Sequence, residues 1–300
     1  MTILLAAALL CAPGAAAAVA QEAPLLLRLP ASARALGLGG VLPPGRGDAA
    51  ALFYHPAFLR DATGIAGGMQ WLGPDTLVVD AAGAMEWLGG AVGIGVRSVS
   101  YTGETGACDN VCVQLLRRVP VSERTAQVAV AHTVKGLRLA LAGTYLEQRR
   151  DLARGSTWAA DASLGAAAGP MRIGLTAQNL GPDMGMGSGG ATVPLNRRLL
   201  LGVAPVGPAN LGPLDILPAA QLAWERGARF SPAAGLELGY WPVVGRTFYL
   251  RAGARRSDPA LRRRPFTAGA GFAGDRIGLD YALEPLEGGG AAHHIGIRWR

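Results

Sequence analysis

The sequence contains little charge and no long hydrophobic run. Only 16% of its 300 residues are Asp, Glu, Lys or Arg, against about 25% in ordinary domains. Half of the residues are hydrophobic, which excludes a disordered chain. After the N-terminus, Pro, Gly or polar residues interrupt each apolar run before the ~18 residues that a spanning helix needs. Two classes remain: an apolar soluble protein with β structure, or a membrane β-barrel, whose apolar residues are dispersed by alternation.

Lysine is nearly absent, because Lys135 is the single lysine beside 27 arginines. This bias, with 44 glycines that follow no collagen-like period, indicates a genome rich in Gly, Ala, Arg and Pro codons. The formal charge of +7 does not indicate nucleic-acid binding, since the arginines are scattered and no basic patch is interleaved with aromatics. One dense cluster stands out, Arg262, Arg263 and Arg264. We expect it on a loop, either as a solvated patch or facing lipopolysaccharide phosphates or an acidic partner.

Residues 1–20 lack charge altogether and end in Ala18-Val19-Ala20, shortly before Glu22, the first charged residue. An apolar stretch that finishes in a small-x-small motif predicts a cleaved secretory signal peptide. Cys11 lies inside it and follows Leu10, where a lipoprotein signal has a small residue. We therefore expect export without lipid attachment.

Cysteine is scarce, and the exported chain would hold two, Cys108 and Cys112. In an oxidising compartment such a pair can close a small disulfide loop. A zinc site would need two further ligands, and the four histidines stand at no ligand-like spacing from the pair. The absence of Cys-x-x-Cys favours a structural disulfide over redox chemistry.

From residue 65 onward, apolar and polar residues alternate in short segments. Gly, Pro, Asn and Asp separate these segments, and this pattern is typical of β-strands joined by turns. Most of the segments have the length that a tilted strand needs to cross a bilayer. Fourteen strands are predicted, at 65–73, 76–86, 91–101, 124–134, 137–147, 158–168, 171–180, 197–206, 214–225, 232–241, 246–256, 264–273, 276–284 and 293–300.

The predicted connections differ between the two ends of the strands. With an even strand count both termini lie at one end, here called the near face, and the opposite end is the far face. Tight turns such as Lys135-Gly136 and Gly169-Pro170 join strands at the near face. Long loops, at 102–123, 148–157 and 181–196, lie at the far face. This asymmetry is typical of outer-membrane barrels.

Hydrophobic and polar residues alternate in the strands near the C-terminus, so each of these strands has an apolar and a polar side. A register with Asp280 opposite Arg298 also places Glu284 opposite His294, and every resulting pair is compatible. We predict that these four residues form ion pairs on the inner wall of the barrel. Such residues usually brace a barrel interior, so a specific ligand role is not implied.

The segment before the first strand carries two motifs. The first is Ala33-Arg34-Ala35-Leu36-Gly37-Leu38-Gly39-Gly40, and the second runs from Asp48 to Leu59 and contains His55-Pro56-Ala57. With Gln178-Asn179-Leu180-Gly181-Pro182 and the last sixty residues, they resemble the PorV/PorQ family of outer-membrane proteins, relatives of FadL-type transporters. The family has Asn-Pro-Ala where this chain has His55-Pro56-Ala57.

The resemblance implies an all-β, transmembrane antiparallel barrel of about 14 strands over residues 63–300. Residues 21–62 would fold inward as a short plug containing a helical turn, for which Gly37, Gly39 and Gly40 permit tight turns and Asp48 supplies a cap. The expected location is the outer membrane of a Gram-negative-type bacterium. Outer-membrane lipid and, during insertion, the barrel-assembly machinery are the expected partners.

Catalytic constellations are missing. The glycine-rich run from Gly185 to Gly190 has no following helix for a nucleotide, and no Gly-x-Ser-x-Gly elbow occurs. His293 and His294 would point to opposite faces of a strand, so they cannot share a metal. We expect no enzyme activity, no cofactor and no metal.

Two functions stay open. The first is a surface scaffold for protein secretion or cargo anchoring, as PorV-like proteins are in type IX secretion. The alternative is a passive FadL-like transporter of small hydrophobic molecules. A transporter needs an apolar path through the lumen, whereas a scaffold can be filled by charged pairs. The glycine and charge on the closing strands favour the scaffold slightly.

Overall fold

Fourteen antiparallel strands close into one barrel in the computed structural model, which describes residues 23–107, 115–187, 191–226, 229–257 and 263–300. Each barrel strand pairs with the next one along the chain, and the last pairs with the first. This confirms the predicted fold class. The barrel strands are β1 Gly64–Trp71, β2 Leu77–Trp87, β3 Gly90–Ala107, β4 Leu115–Val134, β5 Leu137–Arg150, β6 Ala153–Ala168, β7 Met171–Leu180, β10 Arg198–Pro205, β12 Leu214–Glu225, β13 Arg229–Val243, β14 Arg246–Arg255, β15 Phe266–Ala273, β16 Ile277–Pro285 and β17 Ala291–Trp299.

Three short strands lie in the connections. A hairpin of β8 Met184–Met186 and β9 Ala191–Val193 stands at the far face, between β7 and β10. β11 Ala209–Leu211 pairs with the start of β12 at the near face. Among the described residues, no helix is long and apolar enough to span a membrane.

The outer face of the barrel is apolar because every second residue along a strand points outward. Exposed aromatic side chains lie toward both ends of the strands, where the interfaces of a bilayer favour them. The near ring contains Trp87, Tyr240, Phe248 and Trp299, and the far ring contains Trp71, Trp158, Phe230 and Phe266.

The predicted register of the closing strands is wrong by two residues. Asp280 lies opposite Gly296 and Arg298 lies opposite Gly278 in the β16–β17 pair. A shift of two keeps every side chain on its own face, so alternation alone does not distinguish the two registers. Gly278 explains the choice, since a Cβ there would lie 2.9 Å from Nη2 of Arg298, whose side chain crosses this glycine to reach Asp280.

Two of the predicted far loops are largely strand. β3 and β4 continue pairing from Thr102 with Pro120 to Ala107 with Leu115, and β5 and β6 pair up to Arg150 and Ala153. The loop predictions at 102–123 and 148–157 were therefore wrong. Polar residues suit strands that extend beyond the apolar belt, so polarity was mistaken for the end of the strand.

Residues 23–62, here called the inner segment, lie inside the barrel. They form one α-helix, α1 Ala33–Gly37, and three 3₁₀ turns at Leu25–Leu27, Ala49–Phe53 and Pro56–Asp61. The Ser32 side chain accepts a hydrogen bond from the Ala35 N–H and caps α1. Asp48 accepts one from the Ala50 N–H at 2.9 Å. α1 contacts β14 to β17, whereas residues 49–61 contact β1 to β6.

Candidate functional site: the inner segment and its wall

One side of the inner segment is held by a ladder of alternating charges. Arg34 on α1 donates to both carboxylate oxygens of Glu237 on β13, at 2.9 and 2.7 Å. Glu237 also accepts from Nε of Arg251 at 2.6 Å, and Arg251 donates to Asp280 at 2.7 Å. Asp280 in turn accepts from Nε of Arg298 at 2.6 Å. The ladder crosses from the segment to β13, β14, β16 and β17.

The ladder returns to the inner segment at Asp48, whose carboxylate lies 3.7 Å from Nε of Arg298. All six side chains are between 1% and 9% exposed, and three cations meet three anions. Burial acts to lower the pKa of Arg34, but the Glu237 carboxylate outweighs it and holds that pKa above its ordinary value. Such an arrangement is sensitive to the loss of one member, which leaves a buried charge unpaired.

The start of the inner segment is held from the far half of the wall. Glu123 on β4 accepts hydrogen bonds from the backbone N–H groups of Leu25 and Leu26, at 3.1 and 2.7 Å. Arg97 on β3 donates to the carbonyl oxygens of Leu26, Leu29 and Pro30, at 2.8 to 3.1 Å. These two wall residues satisfy backbone groups that would otherwise be buried without partners.

The opposite side of the inner segment meets an apolar wall. Leu52, Phe58 and Leu59 are at most 1% exposed. They belong to one hydrophobic cluster with small side chains from the near half of β1 to β5. Those wall residues are Ala66, Ala82, Ala84, Ala91, Ala129, Ala131, Ala140 and Ala142. Most of this contact is non-directional burial and van der Waals packing. Two contacts are directional: Gln178 donates to the Phe53 carbonyl oxygen at 3.0 Å, and the Arg138 guanidinium lies 5.0 Å from the centre of the Phe58 ring.

Glycines of the wall make room for the segment on both sides. On the apolar side, a Cβ on Gly95 would lie 2.6 Å from the Phe53 ring and 2.7 Å from the Leu52 side chain. On the ionic side, a Cβ on Gly253 would overlap the backbone of Leu38 and Gly39. Gly39 has a φ of +75°, which favours glycine. The wall glycines therefore admit side-chain ends on one side and main chain on the other.

His55, in the His-Pro-Ala motif, is 2% exposed and lies against β7 and β10. Its Nδ1 is 2.9 Å from Oγ1 of Thr176, which is 2.8 Å from Oγ of Ser163. Its Nε2 has no hydrogen-bond partner among the described residues. Burial, with a smaller contribution from Arg198, lowers the pKa of His55 to about 3, so the ring is neutral at pH 7.

The remaining motif residues take part in the same packing. Pro56 begins the turn Pro56–Asp61, where a missing N–H costs nothing, and Ala57 is buried beside it. Gly37 approaches Gly269 of the wall, since a Cβ on Gly37 would lie 3.2 Å from the Cα of Gly269. Gly40 ends the α1 turn with a φ of +91°.

Of the ion pairs predicted on the closing strands, Asp280 with Arg298 is present and Glu284 with His294 is not. Glu284 is paired with Arg255 and, at 2.6 Å, with Arg263. His294 lies 3.4 Å from Asp80 on β2, at the seam where β17 meets β1. The two-residue shift in register separates Glu284 from His294, because Glu284 lies opposite Ala292.

The predicted basic loop patch is also corrected. Arg263 is 3% exposed and directed to Glu284 inside the barrel, whereas Arg264 is exposed. The buried Glu284 carboxylate draws one arginine of the run inward, which sequence adjacency does not reveal. Arg262 lies outside the described residues, as do Cys108 and Cys112 of the predicted disulfide.

Sequence reasoning did not single out Glu237 or Arg251 as members of the ladder, nor Arg97 and Glu123. A signal was present for Glu237, Arg251 and Arg97: each is a charged residue at an inward position of a predicted strand and stands beside an outward-facing apolar residue. In β13, for example, Glu237 stands between Leu236 and Leu238. Marking every charge on the inner faces would have found these three, whereas Glu123 lay in the predicted loop 102–123.

Polar cavities lie in the barrel beside the inner segment, one toward each face. The near cavity has a volume of about 440 Å³ and is lined by six arginines and three carboxylates. The far cavity, of about 120 Å³, lies around Leu29 to Ala31 and is lined by Arg97, Arg198 and Tyr54 among others. Within the described ranges, no group of three or more His, Cys, Asp or Glu side chains could hold a metal ion.

A closed fourteen-stranded barrel with apolar outer strands, aromatic rings at both ends and a folded segment in its lumen is an outer-membrane barrel. Among solved structures, it is similar to the toluene transporter TodX of Pseudomonas putida, with a TM-score of 0.57 and 12% identity over 93% of this chain and 97% of that one. It is also similar to the toluene transporter TbuX of Ralstonia pickettii, with a TM-score of 0.55 and 11% identity over 90% and 98%.

These similarities concern the fold alone. The resemblance to the PorV/PorQ family is not shown by them. A search against protein-family models finds no match, and neither does a search of curated proteins.

Proposed function

We propose that the protein is a passive transporter of small hydrophobic molecules across the outer membrane, gated by its inner segment. This is the alternative that the sequence left open. The secretion-scaffold reading has no support among the similar structures, whereas TodX and TbuX are toluene transporters that share this fold.

One observation carries the proposal: the part of the wall that Leu52, Phe58 and Leu59 cover consists largely of alanine and glycine. The alanines of β1 to β5 form one cluster with Leu52, Phe58 and Leu59. Gly93 and Gly165 are covered in the same way, since a Cβ on Gly93 would lie 3.1 Å from Leu59 and one on Gly165 would lie 2.7 Å from Phe58. Displacement of this part of the segment would uncover an apolar lane toward the near face.

The charged pairs in the lumen are compatible with this apolar lane. The charges of the ladder lie on β13, β14, β16 and β17 and the alanines on β1 to β5, and the two sets meet where β17 pairs with β1, with Arg298 opposite Ala66. A hydrophobic molecule could therefore pass along one side while the ladder holds α1 on the other. Directional ion pairs would fix the helix, whereas residues 49–59 would shift against apolar packing and two neutral polar contacts, His55 with Thr176 and the Phe53 carbonyl oxygen with Gln178.

The test is uptake of radiolabelled toluene by intact cells that express the protein, because a lipopolysaccharide leaflet slows hydrophobic solutes that cross ordinary lipid bilayers freely. We expect faster initial uptake than in matched cells without the protein, and no faster uptake of a labelled sugar. A change in electrophoretic mobility on boiling reports the folded barrel. Unchanged toluene uptake with folded protein in the outer membrane, or equal gains for sugar, would contradict the proposal.

A further inference from the structure

The near cavity contains more positive charge than its carboxylates balance. Arg34, Arg251 and Arg298 are matched within the ladder by Glu237, Asp280 and Asp48. These pairs leave the other cations of the cavity to be accounted for, and two of them stand out: Arg46 in the inner segment and Arg172 on β7.

Arg46 has no carboxylate partner among the described residues, and its side chain donates to the carbonyl oxygen of Val206 at 3.3 Å. Arg172 lies 3.6 Å from Asp61, but that carboxylate is held at 2.5 Å by Arg138. At the rim of the cavity, the negative charge of Asp215 offsets the positive charge of Arg300. The surplus at the cavity is therefore about two positive charges.

Two guanidinium groups converge on the turn of the inner segment that contains Arg46. Arg34 donates to the carbonyl oxygen of Arg46, and Arg172 donates to that of Gly45. The turn is closed by the Arg46 N–H, which donates to the Pro43 carbonyl at 3.2 Å. Burial lowers the pKa of Arg46, and the charges of Arg34 and Arg172 lower it further. Like charges gathered in this way repel each other unless an anion joins them.

A second buried donor lines the same cavity. The Arg251 side chain is 1% exposed, and its Nη2 has no hydrogen-bond partner among the described residues. An unsatisfied buried donor of a charged group is costly, so a site of this kind favours an acceptor. Guanidinium groups bind phosphate oxygens in paired hydrogen bonds.

We infer that the near cavity binds a small dianion of the phosphate class, held between Arg46 of the inner segment and Arg172 of the wall, with Arg251 as a further donor. The anion would join the segment to β7 and so stabilise the observed position of the segment from the near side. Its phosphate could be free in solution or belong to a lipid headgroup. The inference does not rest on the proposed transport, since binding is measured without it.

The test is calorimetric titration of the purified full-length protein, in a non-ionic detergent, with two probes. Inorganic phosphate represents the free anion, and a short-chain phosphatidic acid below its micellar concentration represents the headgroup. We expect one site per chain for at least one probe. Binding of phosphate assigns a free anion, whereas binding of the phosphatidic acid alone assigns a lipid headgroup. Absence of binding for both would overturn the inference.

Variants locate the site. Arg46→Gln and Arg172→Gln should each weaken binding about tenfold, because each removes a charge-assisted hydrogen bond. Arg46→Lys should retain part of the affinity. Arg276→Gln is the matched control, since Arg276 is an exposed near-face arginine that does not line the cavity. The mobility change on boiling verifies folding of each variant. Equal affinity in all four would place the anion elsewhere and contradict the assignment.

Discussion

The two sides of the inner segment are held by different kinds of contact. On the ionic side, six alternating charges fix α1 and Asp48 to four strands, and the wall glycines touch main chain. On the apolar side, leucine and phenylalanine side chains rest on alanine and glycine. Ion pairs lose most of their energy when the geometry changes, whereas apolar packing tolerates small shifts. The ionic side should therefore act as the anchor and the apolar side as the moving part.

The largest effect should come from breaking the ladder at Glu237, which accepts from both Arg34 and Arg251. Glu237→Gln leaves two buried arginines short of a counter-charge, which costs about 3–5 kcal/mol. Urea unfolding in detergent micelles measures the change in the free energy of unfolding. Glu287→Gln, at an exposed loop position, is the control. If both variants unfold alike, the ladder contributes nothing and the comparison between the two sides fails.

Next is the pH dependence contributed by His55. Because burial lowers its pKa from 6.5 to about 3, its contribution to stability is complete above pH 6.5 and is lost as the pH falls toward 3. At 1.36 kcal/mol per pH unit, the loss between pH 7 and pH 4 is about 3 kcal/mol.

The measurement compares the unfolding of the wild-type protein and His55→Asn at both pH values. Buried carboxylates titrate equally in the two proteins, so any difference in how the free energy of unfolding changes with pH comes from residue 55. We expect the free energy of unfolding of the variant to change less between the two pH values. A change unaffected by the substitution would mean that His55 is not buried as a neutral ring.

A smaller effect should separate the glycines of the two sides. Gly253→Ala overlaps the backbone of Leu38 and Gly39, which the ladder holds in place, so we expect a loss of about 2 kcal/mol. Gly95→Ala meets only the ends of the Phe53 and Leu52 side chains, which can turn aside, so we expect less than about 1 kcal/mol.

Thermal unfolding followed by the mobility change on boiling ranks the two glycine variants. Gly143→Ala is the matched control, because a Cβ there meets no described atom within 4 Å. A larger loss of stability in Gly95→Ala than in Gly253→Ala would show that the apolar side, and not the ionic side, is the more rigid one.

The smallest effect should come from Arg60 and Glu86, which lie 3.9 Å apart near the surface with 49% and 66% of their side chains exposed. Arg60→Gln should change the free energy of unfolding by less than about 1 kcal/mol, because water and salt screen the pair. The same urea titration measures it. A loss as large as that of Glu237→Gln would show that burial does not distinguish the two kinds of ion pair.

The alternation of β16 and β17 was sufficient to predict the inward position of Asp280 and Arg298, whereas the barrel was predicted from the strand pattern, the connection lengths and the family resemblance. It did not fix the register, because a shift of two residues preserves every face, and the observed register places the Arg298 side chain over Gly278, where a Cβ would crowd it. The partners of Glu284 come from β14 and the loop after it, through Arg255 and Arg263. Contacts between strands that are far apart in the sequence produce no periodic pattern in it. These partners of Glu284 were therefore found only in the structure.

In the inner segment, too, local features were predictable from the sequence and long-range contacts were not. Its turn residues and the cap at Asp48 are readable locally, since Gly39 and Gly40 adopt positive φ and Asp48 bonds the Ala50 N–H. The division of its contacts into an ionic and an apolar side is not local, because it depends on which strands close around it. The sequence indicated a filled lumen on the strength of the closing strands, and the alanines of β1 to β5 were not weighed.

A pair of crosslinks tests the central claim most directly. In a background with Cys108 and Cys112 changed to Ser, Ala33→Cys with Gly296→Cys ties the anchor side, where a Cβ on Gly296 would lie 3.3 Å from that of Ala33. Leu59→Cys with Gly93→Cys, joined by a short thiol crosslinker, ties the apolar side. Toluene uptake by cells should persist with the first crosslink and stop with the second, while single-cysteine variants treated with the same reagent keep normal uptake. Uptake that survives the second crosslink, or is lost with the first, would contradict the account.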